Sequence, residues 1–285
     1  MEQKSHTRNG PAARSGCDEE VITPPLVVEN VAAGYGSNIV VKDVSFTVRP
    51  GETVAVVGSS GCGKSTLLKT LVGLLPPASG RVTLLGCDLW SMPVDARREL
   101  LHRVGLIFQG GALLGSMTVK ENLGLPLEMH TRLSDEVIAR LVDARLSQVG
   151  LSEFAHLKPA ELSGGMRKRV AVARSLMLDP DLLLCDEPTS GLDPVVAAGI
   201  DELLVNVREL QENALLVVSH DLASIRRLGA RILMMARGHL VAEGSYDELA
   251  VSNDPEVRRF FNRQARPSGE GGALLTDLIR TQPKS

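Results

Sequence analysis

Apolar residues fall into short runs along this chain, and the spacing within each run predicts a different element. Val44, Phe46 and Val48 alternate with polar neighbours, the pattern of a strand with one buried face, and Leu26–Val31 forms a short apolar run before them. Thr53–Val57 is a continuous run rich in β-branched residues, as in a strand covered on both faces. It passes directly into a glycine-rich loop, after which the pattern predicts a helix over Lys64–Leu75, closed by Pro76 and Pro77. Further strands are predicted at Arg81–Leu85, Val104–Phe108, Leu182–Cys185, Leu215–Ser219, Arg231–Met235 and His239–Glu243. Between 113 and 160 the period changes. Leu133, Val137, Leu141 and Arg145, with Ile138, Val142, Leu146 and Val149, recur at helical spacing, which predicts an inserted helical subdomain at about 113–160. Strands alternating with helices elsewhere predict an α/β sheet. Asp254, Pro255 and Glu256 supply an N-cap and first turn for a short helix through Phe261.

Composition narrows the class. The chain has 285 residues, enough for one large domain, and its core must be aliphatic because it has only one Trp, two Tyr and five Phe. A formal net charge of −3 argues against a general electrostatic nucleic-acid binder. No run approaches the roughly 20 apolar residues of a membrane span, and the N-terminus lacks the apolar stretch of a secretory signal. Cys17, Cys62, Cys87 and Cys185 have no metal-ligand spacing, as expected of reduced thiols in an intracellular chain. Residues 1–23 are polar and are expected to be a flexible extension. The tail from Arg263 is also polar, apart from Leu274, Leu275, Leu278 and Ile279.

The candidate chemistry begins at the glycine-rich loop. Gly58, Ser59, Ser60, Gly61, Cys62, Gly63, Lys64, Ser65 and Thr66 match GxxxxGK[ST], placed after a buried strand and at a helix start. There, backbone N–H groups can wrap phosphate oxygens, Lys64 can reach the β- and γ-phosphates, and the Ser65 hydroxyl can bind Mg²⁺. Cys62 is read as a spacer. The apolar run Leu182–Cys185 ends in Asp186 and Glu187, so both carboxylates project at the strand's C-terminal edge, where open α/β sheets bind ligands. Asp186 is placed for the Mg²⁺ shell, and Glu187 for orienting or deprotonating an attacking water. Ser163, Gly164 and Gly165 open another helix, a second anion-binding terminus in a chain with one phosphate loop, which suggests a site shared between two chains. The same helix carries Arg167, Lys168, Arg169 and Arg174, a basic cluster read as a solvated helix face beside a nucleotide site rather than a nucleic-acid contact.

With these motifs in order, the chain resembles the nucleotide-binding subunit of an ATP-binding-cassette (ABC) transporter over roughly residues 26–250. The resemblance implies a P-loop NTPase (RecA-like) core with an antiparallel β subdomain and an inserted α-helical subdomain, spanning 24–250, with 251–285 as C-terminal helix and tail. It also implies roles. Tyr35 stacks on adenine, Gln109 ends its strand within reach of Mg²⁺ or water, and Ser163–Gly165 belong to the signature motif. Asp193 lies in the D-loop, and His220 faces the γ-phosphate. Met166 departs from the usual Leu-Ser-Gly-Gly-Gln.

Together with the sequence after Gln109 and the Asp254–Phe261 segment, Met166 makes the chain similar to the ATPases of Mla/Mce-type lipid transporters. That similarity implies an ATP-hydrolysing enzyme, with ATP and Mg²⁺ as ligands, working as a head-to-tail dimer on the cytoplasmic face of the inner membrane. Its implied partners are an integral membrane permease docked on the helical segment, an Mce-domain substrate-binding protein and a STAS-domain protein, with no nucleic acid. Other transporter classes, and soluble ABC ATPases such as iron–sulfur assembly factors, are the alternatives.

Overall fold

A computed structural model describes residues 23–264. Cys17, nearly all of the extension at 1–23, and the cluster Leu274, Leu275, Leu278 and Ile279 lie outside the described residues. The chain order is β1 Leu26–Tyr35, β2 Asn38–Val48, β3 Thr53–Gly58, α1 Lys64–Leu71, β4 Ser79–Leu84, β5 Cys87–Asp88, α2 Val94–Leu101 and β6 Val104–Ile107. It continues with α3 Val119–His130, α4 Asp135–Gln148, α5 Gly164–Ser175, β7 Leu182–Asp186, α6 Pro194–Gln211, β8 Ala214–Val218 and α7 Leu222–Arg227. The described residues end with β9 Arg231–Ala236, β10 His239–Gly244, α8 Tyr246–Ala250 and α9 Pro255–Gln264.

Two sheets result. An antiparallel sheet runs β2-β1-β4-β5, and a six-stranded sheet runs β10-β9-β3-β8-β7-β6. In the second sheet β9, β3, β8, β7 and β6 are parallel, and β10 pairs antiparallel at the edge. Every residue of β3 is buried, and the period of two divides its side chains between two cores. Ala55 and Val57 join the cluster under α5 and α6, while Val54 and Val56 join the one shared with α1 and the antiparallel sheet. Leu183 and Cys185 divide from Leu182 and Leu184 in the same way. The central sheet is thus a wall between two aliphatic cores, which is why few aromatics are needed.

Helix ends depart from the sequence expectation where backbone geometry overrides apolar spacing. The first helix stops at Leu71 rather than Leu75, because Gly73 turns left-handed at φ 77°. The Leu74 N–H then donates to Lys69 O and the Gly73 N–H to Thr70 O, which closes the helix four residues early. The helix opened by Ser163 ends at Ser175, ahead of Asp179 at φ 46° and Pro180. The first two strands are longer than expected, because Tyr35 and Asn38 close a hairpin that carries the pairing of β1 with β2 outward. Between 113 and 160 the chain is helix and turn, opened by a reciprocal Thr118–Glu121 cap. On α4, Ile138, Val142 and Leu146 are buried, while Val137 and Leu141, and Leu133 just before the helix, are exposed.

One buried acid joins two helices behind the sheet edge. Asp201 of α6 is fully buried and accepts hydrogen bonds from Ser224 Oγ at 2.6 Å and Arg227 Nε at 2.8 Å, both on α7. Asp201→Ala is expected to strand both donors and cost about 3 kcal/mol of stability, read as a lower midpoint in urea unfolding. A midpoint within error of the parent would show that the pair contributes nothing to the fold.

Candidate nucleotide site

Strand register brings the predicted residues to one edge. Val56 of β3 pairs with Val218 of β8, and Asp186 of β7 pairs with Val218 from the other side. Ile107 of β6 pairs with Cys185, so Gln109 leaves the sheet beside Asp186 and Glu187. The loop after β3, the acids after β7, His220 after β8 and Gln109 after β6 therefore converge. They line a cavity of about 840 Å³.

The loop's shape depends on its glycines. Gly58 has φ 149°, and a Cβ there would lie 2.3 Å from the carbonyl oxygen of Met235 and 2.7 Å from Cys62 Sγ. Only a residue without a side chain lets β3 run this close to β9 and still turn. Gly63, at φ 113°, opens α1 with no side-chain cap, which leaves the first amides of α1 without a side-chain acceptor. The Lys64 ammonium folds back into the loop, donating to Gly58 O at 2.8 Å and Ser59 O at 3.2 Å. Cys62 is buried and does not line the cavity; its carbonyl accepts from the Gly238 N–H at 3.1 Å.

Opposite the loop, Glu187 sits at φ 49°, an uncommon conformation for a residue with a side chain. Its N–H donates to Val218 O at 2.8 Å, and its Oε1 pairs with His220 Nδ1 at 2.7 Å. Burial, and next the charge of Glu187, push the Asp186 carboxyl above the usual carboxylate range, against the pull of Lys64, Lys168 and Lys69. Two adjacent acids with surplus negative charge, and the Ser65 hydroxyl and Gln109 on the same cavity, are a donor set suited to a hard divalent cation. Among the described residues no cluster of three His, Cys, Asp or Glu side chains forms a metal cage. A cation here would complete its shell with ligand oxygens and water.

The remaining predicted residues stand apart from the cavity. Tyr35 ends β1 with half its surface exposed, and its hydroxyl accepts from Lys69 Nζ at 3.2 Å, which holds the ring over α1. Ser163 caps α5 through the Met166 N–H at 3.2 Å. Asp193 caps α6 through the N–H groups of Val195 and Val196 at 3.1 and 3.0 Å. Gly164 and Gly165 pack toward Leu192 and Val196, so the starts of α5 and α6 form one surface away from the chain's own phosphate loop.

Two contributions were not anticipated. Arg237, Glu256, Arg259 and Phe260 also line the cavity, because α9 folds back over it and Glu256 pairs with Arg237. Of the basic cluster on α5 only Arg167 stays exposed; the other three cations turn inward. Lys168 is only 7% exposed and reaches the carbonyls of Gln109 and Glu187. Arg174 donates to Gly111 O at 2.9 Å and Ala112 O at 2.7 Å. Arg169 donates to Val149 O at 3.2 Å. The signal lay in the period: Lys168 stands three and four residues before Ala171 and Val172, on the buried face of the helix.

Comparisons with known proteins agree with this geometry. A family described as ABC transporter matches residues 41–190. The chain is 38% identical over 245 residues to the probable ribonucleotide transport ATP-binding protein mkl of Mycobacterium tuberculosis, covering 86% of this chain and 68% of that protein. It is 34% identical over 240 residues to the intermembrane phospholipid transport system ATP-binding protein MlaF of Haemophilus influenzae, covering 84% of this chain and 91% of that protein. Among solved structures, the ATP-binding cassette MJ0796, in a dimeric post-hydrolysis state bound to ADP and Pi, matches with a TM-score of 0.71 at 31% identity, over 78% of this chain and 98% of that one.

Proposed function

This chain belongs to the ATP-binding subunits of ABC transporters and is an ATPase, and from that premise we propose that it powers lipid movement as one half of a two-subunit motor. The proposed cargo is a phospholipid or another hydrophobic molecule, moved through a separate membrane permease. Its similarity to MlaF supports that cargo, as do Met166 and the helix opened by Asp254. The name of mkl favours a second reading, a nucleotide cargo. Isolating the native complex and analysing co-purified molecules by mass spectrometry separates the two; a bound nucleotide other than ATP or ADP, with no lipid, would overturn the first. An Mce-domain protein and a STAS-domain protein are proposed as further partners, and the chain itself is proposed to sit on the cytoplasmic face of the inner membrane. No described helix is long and apolar enough to cross a membrane itself.

In the proposed mechanism, ATP lies with its phosphates in the loop Gly58–Thr66 and its adenine on the Tyr35 ring. Lys64 leaves the carbonyls of Gly58 and Ser59 for the β- and γ-phosphates. Ser65, Asp186 and Gln109 would hold Mg²⁺, which when bound neutralises charge on the β- and γ-phosphates. Glu187 orients the attacking water and accepts its proton, while His220 fixes the Glu187 carboxylate and faces the γ-phosphate.

The observation that carries the dimer is the position of Ser163, Gly164 and Gly165 outside their own chain's cavity. A second copy, turned head to tail, supplies them to close it. Sedimentation of Glu187→Gln with ATP is expected to show paired subunits. Adding Gly164→Asp, which puts a carboxylate where a partner's phosphate would lie, should return single subunits that still bind ATP. Single subunits throughout, or pairing indifferent to Gly164→Asp, would sink the shared site.

A further inference from the structure

The ammonium of Lys168 is an uncommon group to find inside a packed helix face. Burial pushes its pKa below the usual lysine range, against the pull of Glu187, Asp186 and Cys185, so holding the charge there costs hydration. Cohesion of α5 against the sheet needs no such group, because Val170, Ala171, Val172 and Ala173 are already buried beside it. What the ammonium touches is specific. It donates to the backbone carbonyl of Gln109 and, at 3.2 Å, to that of Glu187. These carbonyls belong to the residues proposed to hold the cation and to activate water.

Glu187 is the residue that most needs such support. Its left-handed backbone, at φ 49°, costs on the order of 1 kcal/mol or more and persists only where the surroundings fix it. Four contacts do so: its N–H on Val218 O, its carboxylate on His220, and its carbonyl accepting from both the Ser190 N–H and Lys168. The Gln109 loop is likewise strained at Ala112, φ 48°, beside Gly111 at φ 77°, and Arg174 of the same helix holds both carbonyls. One face of α5 therefore secures the loop at three carbonyls, and Lys168 alone extends that hold to Glu187.

We propose that Lys168 is a positioning residue for ATP hydrolysis, tying the Gln109 loop to Glu187 so that the cation ligand and the water-activating carboxylate are set as one unit. The inference rests on the roles proposed above for Glu187 and Gln109. It makes turnover depend on where the Gln109 loop lies.

The test compares Lys168→Met, which keeps the length and removes the donors, with Lys168→Arg, which keeps charge and donors, in the full chain. Lys168→Met should lower kcat by about ten- to a hundredfold while KM for ATP stays near the parent value, since the phosphate loop is untouched. Lys168→Arg should recover most of that loss. Hydrogen exchange at residues 109–112 should quicken in the Met variant and not in the Arg variant. If Lys168→Met does not fold, Lys168→Leu, also without donors, is judged by the same criteria. Parent-like kcat in a donor-free variant, or an equal loss in the Met and Arg variants, would overturn the proposal. Glu187→Gln is measured alongside. If it is inactive while Lys168→Met behaves as the parent, only the role of Lys168 falls; if it is itself active, the reading beneath falls too.

Discussion

Replacing Glu187 by glutamine should leave ATP bound and remove most turnover, a fall in kcat of roughly 10²–10⁴-fold. The substitution keeps the side chain's shape and its place at the sheet edge. It removes the charge that pairs with His220 at 2.7 Å and would accept a proton from water. Binding should survive, because the groups that grip phosphate lie in Gly58–Thr66, on another strand. Steady-state ATPase assays with nucleotide-binding titrations separate the two quantities. Unchanged hydrolysis would remove Glu187 from its role, and loss of binding with turnover would show that the carboxylate serves structure instead.

The second large effect is expected at Lys64. Its ammonium is held within the loop by Gly58 O and Ser59 O, so the charge is pre-placed before any phosphate arrives. Lys64→Ala removes the side-chain cation from the phosphate site. Truncating one partner of a hydrogen-bonded charge pair costs about 2–5 kcal/mol, a weakening in Kd that begins near thirtyfold. Glu187→Gln and Lys64→Ala should thus fail differently, one binding without turnover and one barely binding. Titration calorimetry with ATP distinguishes them, and parent-like affinity in Lys64→Ala would overturn the role of the lysine.

The parts of the site legible in the sequence are those whose geometry is local. Gly58 to Thr66 is a contiguous strand-loop-helix, so residue type at each position already constrains the backbone. Asp186 and Glu187 end an apolar run, and the same holds for Gln109 and His220, so strand ends could be named before their neighbours were known. The caps at Ser163 and Asp193 follow from one side chain and the amides two or three residues on. Every strand but the two-residue β5 is legible for the same reason, with ends displaced where a hairpin carries the pairing further.

Charge was misjudged where its partner is distant in sequence. Lys168 and Arg174 looked like a solvated face because Arg and Lys usually are, yet their acceptors lie 59 and 63 residues away, at Gln109 and Gly111. The helix opened by Asp254 was predicted as a helix, but nothing in its own residues says that it folds over the nucleotide cavity and brings Arg259 and Phe260 to its wall.

By itself, the sequence determined the chemistry: one phosphate loop, a pair of acids, a glutamine, a histidine, and a second helix start with glycines. It could do so because backbone propensity and short-range hydrogen bonding act between neighbours in the chain. The tertiary structure decided which of these face one another. Strand order placed the loop, acids, glutamine and histidine on one cavity and turned Ser163–Gly165 away from it, and α5 turned Lys168, Arg169 and Arg174 inward. Those outcomes depend on parallel pairing and two-sided burial among segments far apart in sequence, where the free energy lies in the packed whole and in no single stretch.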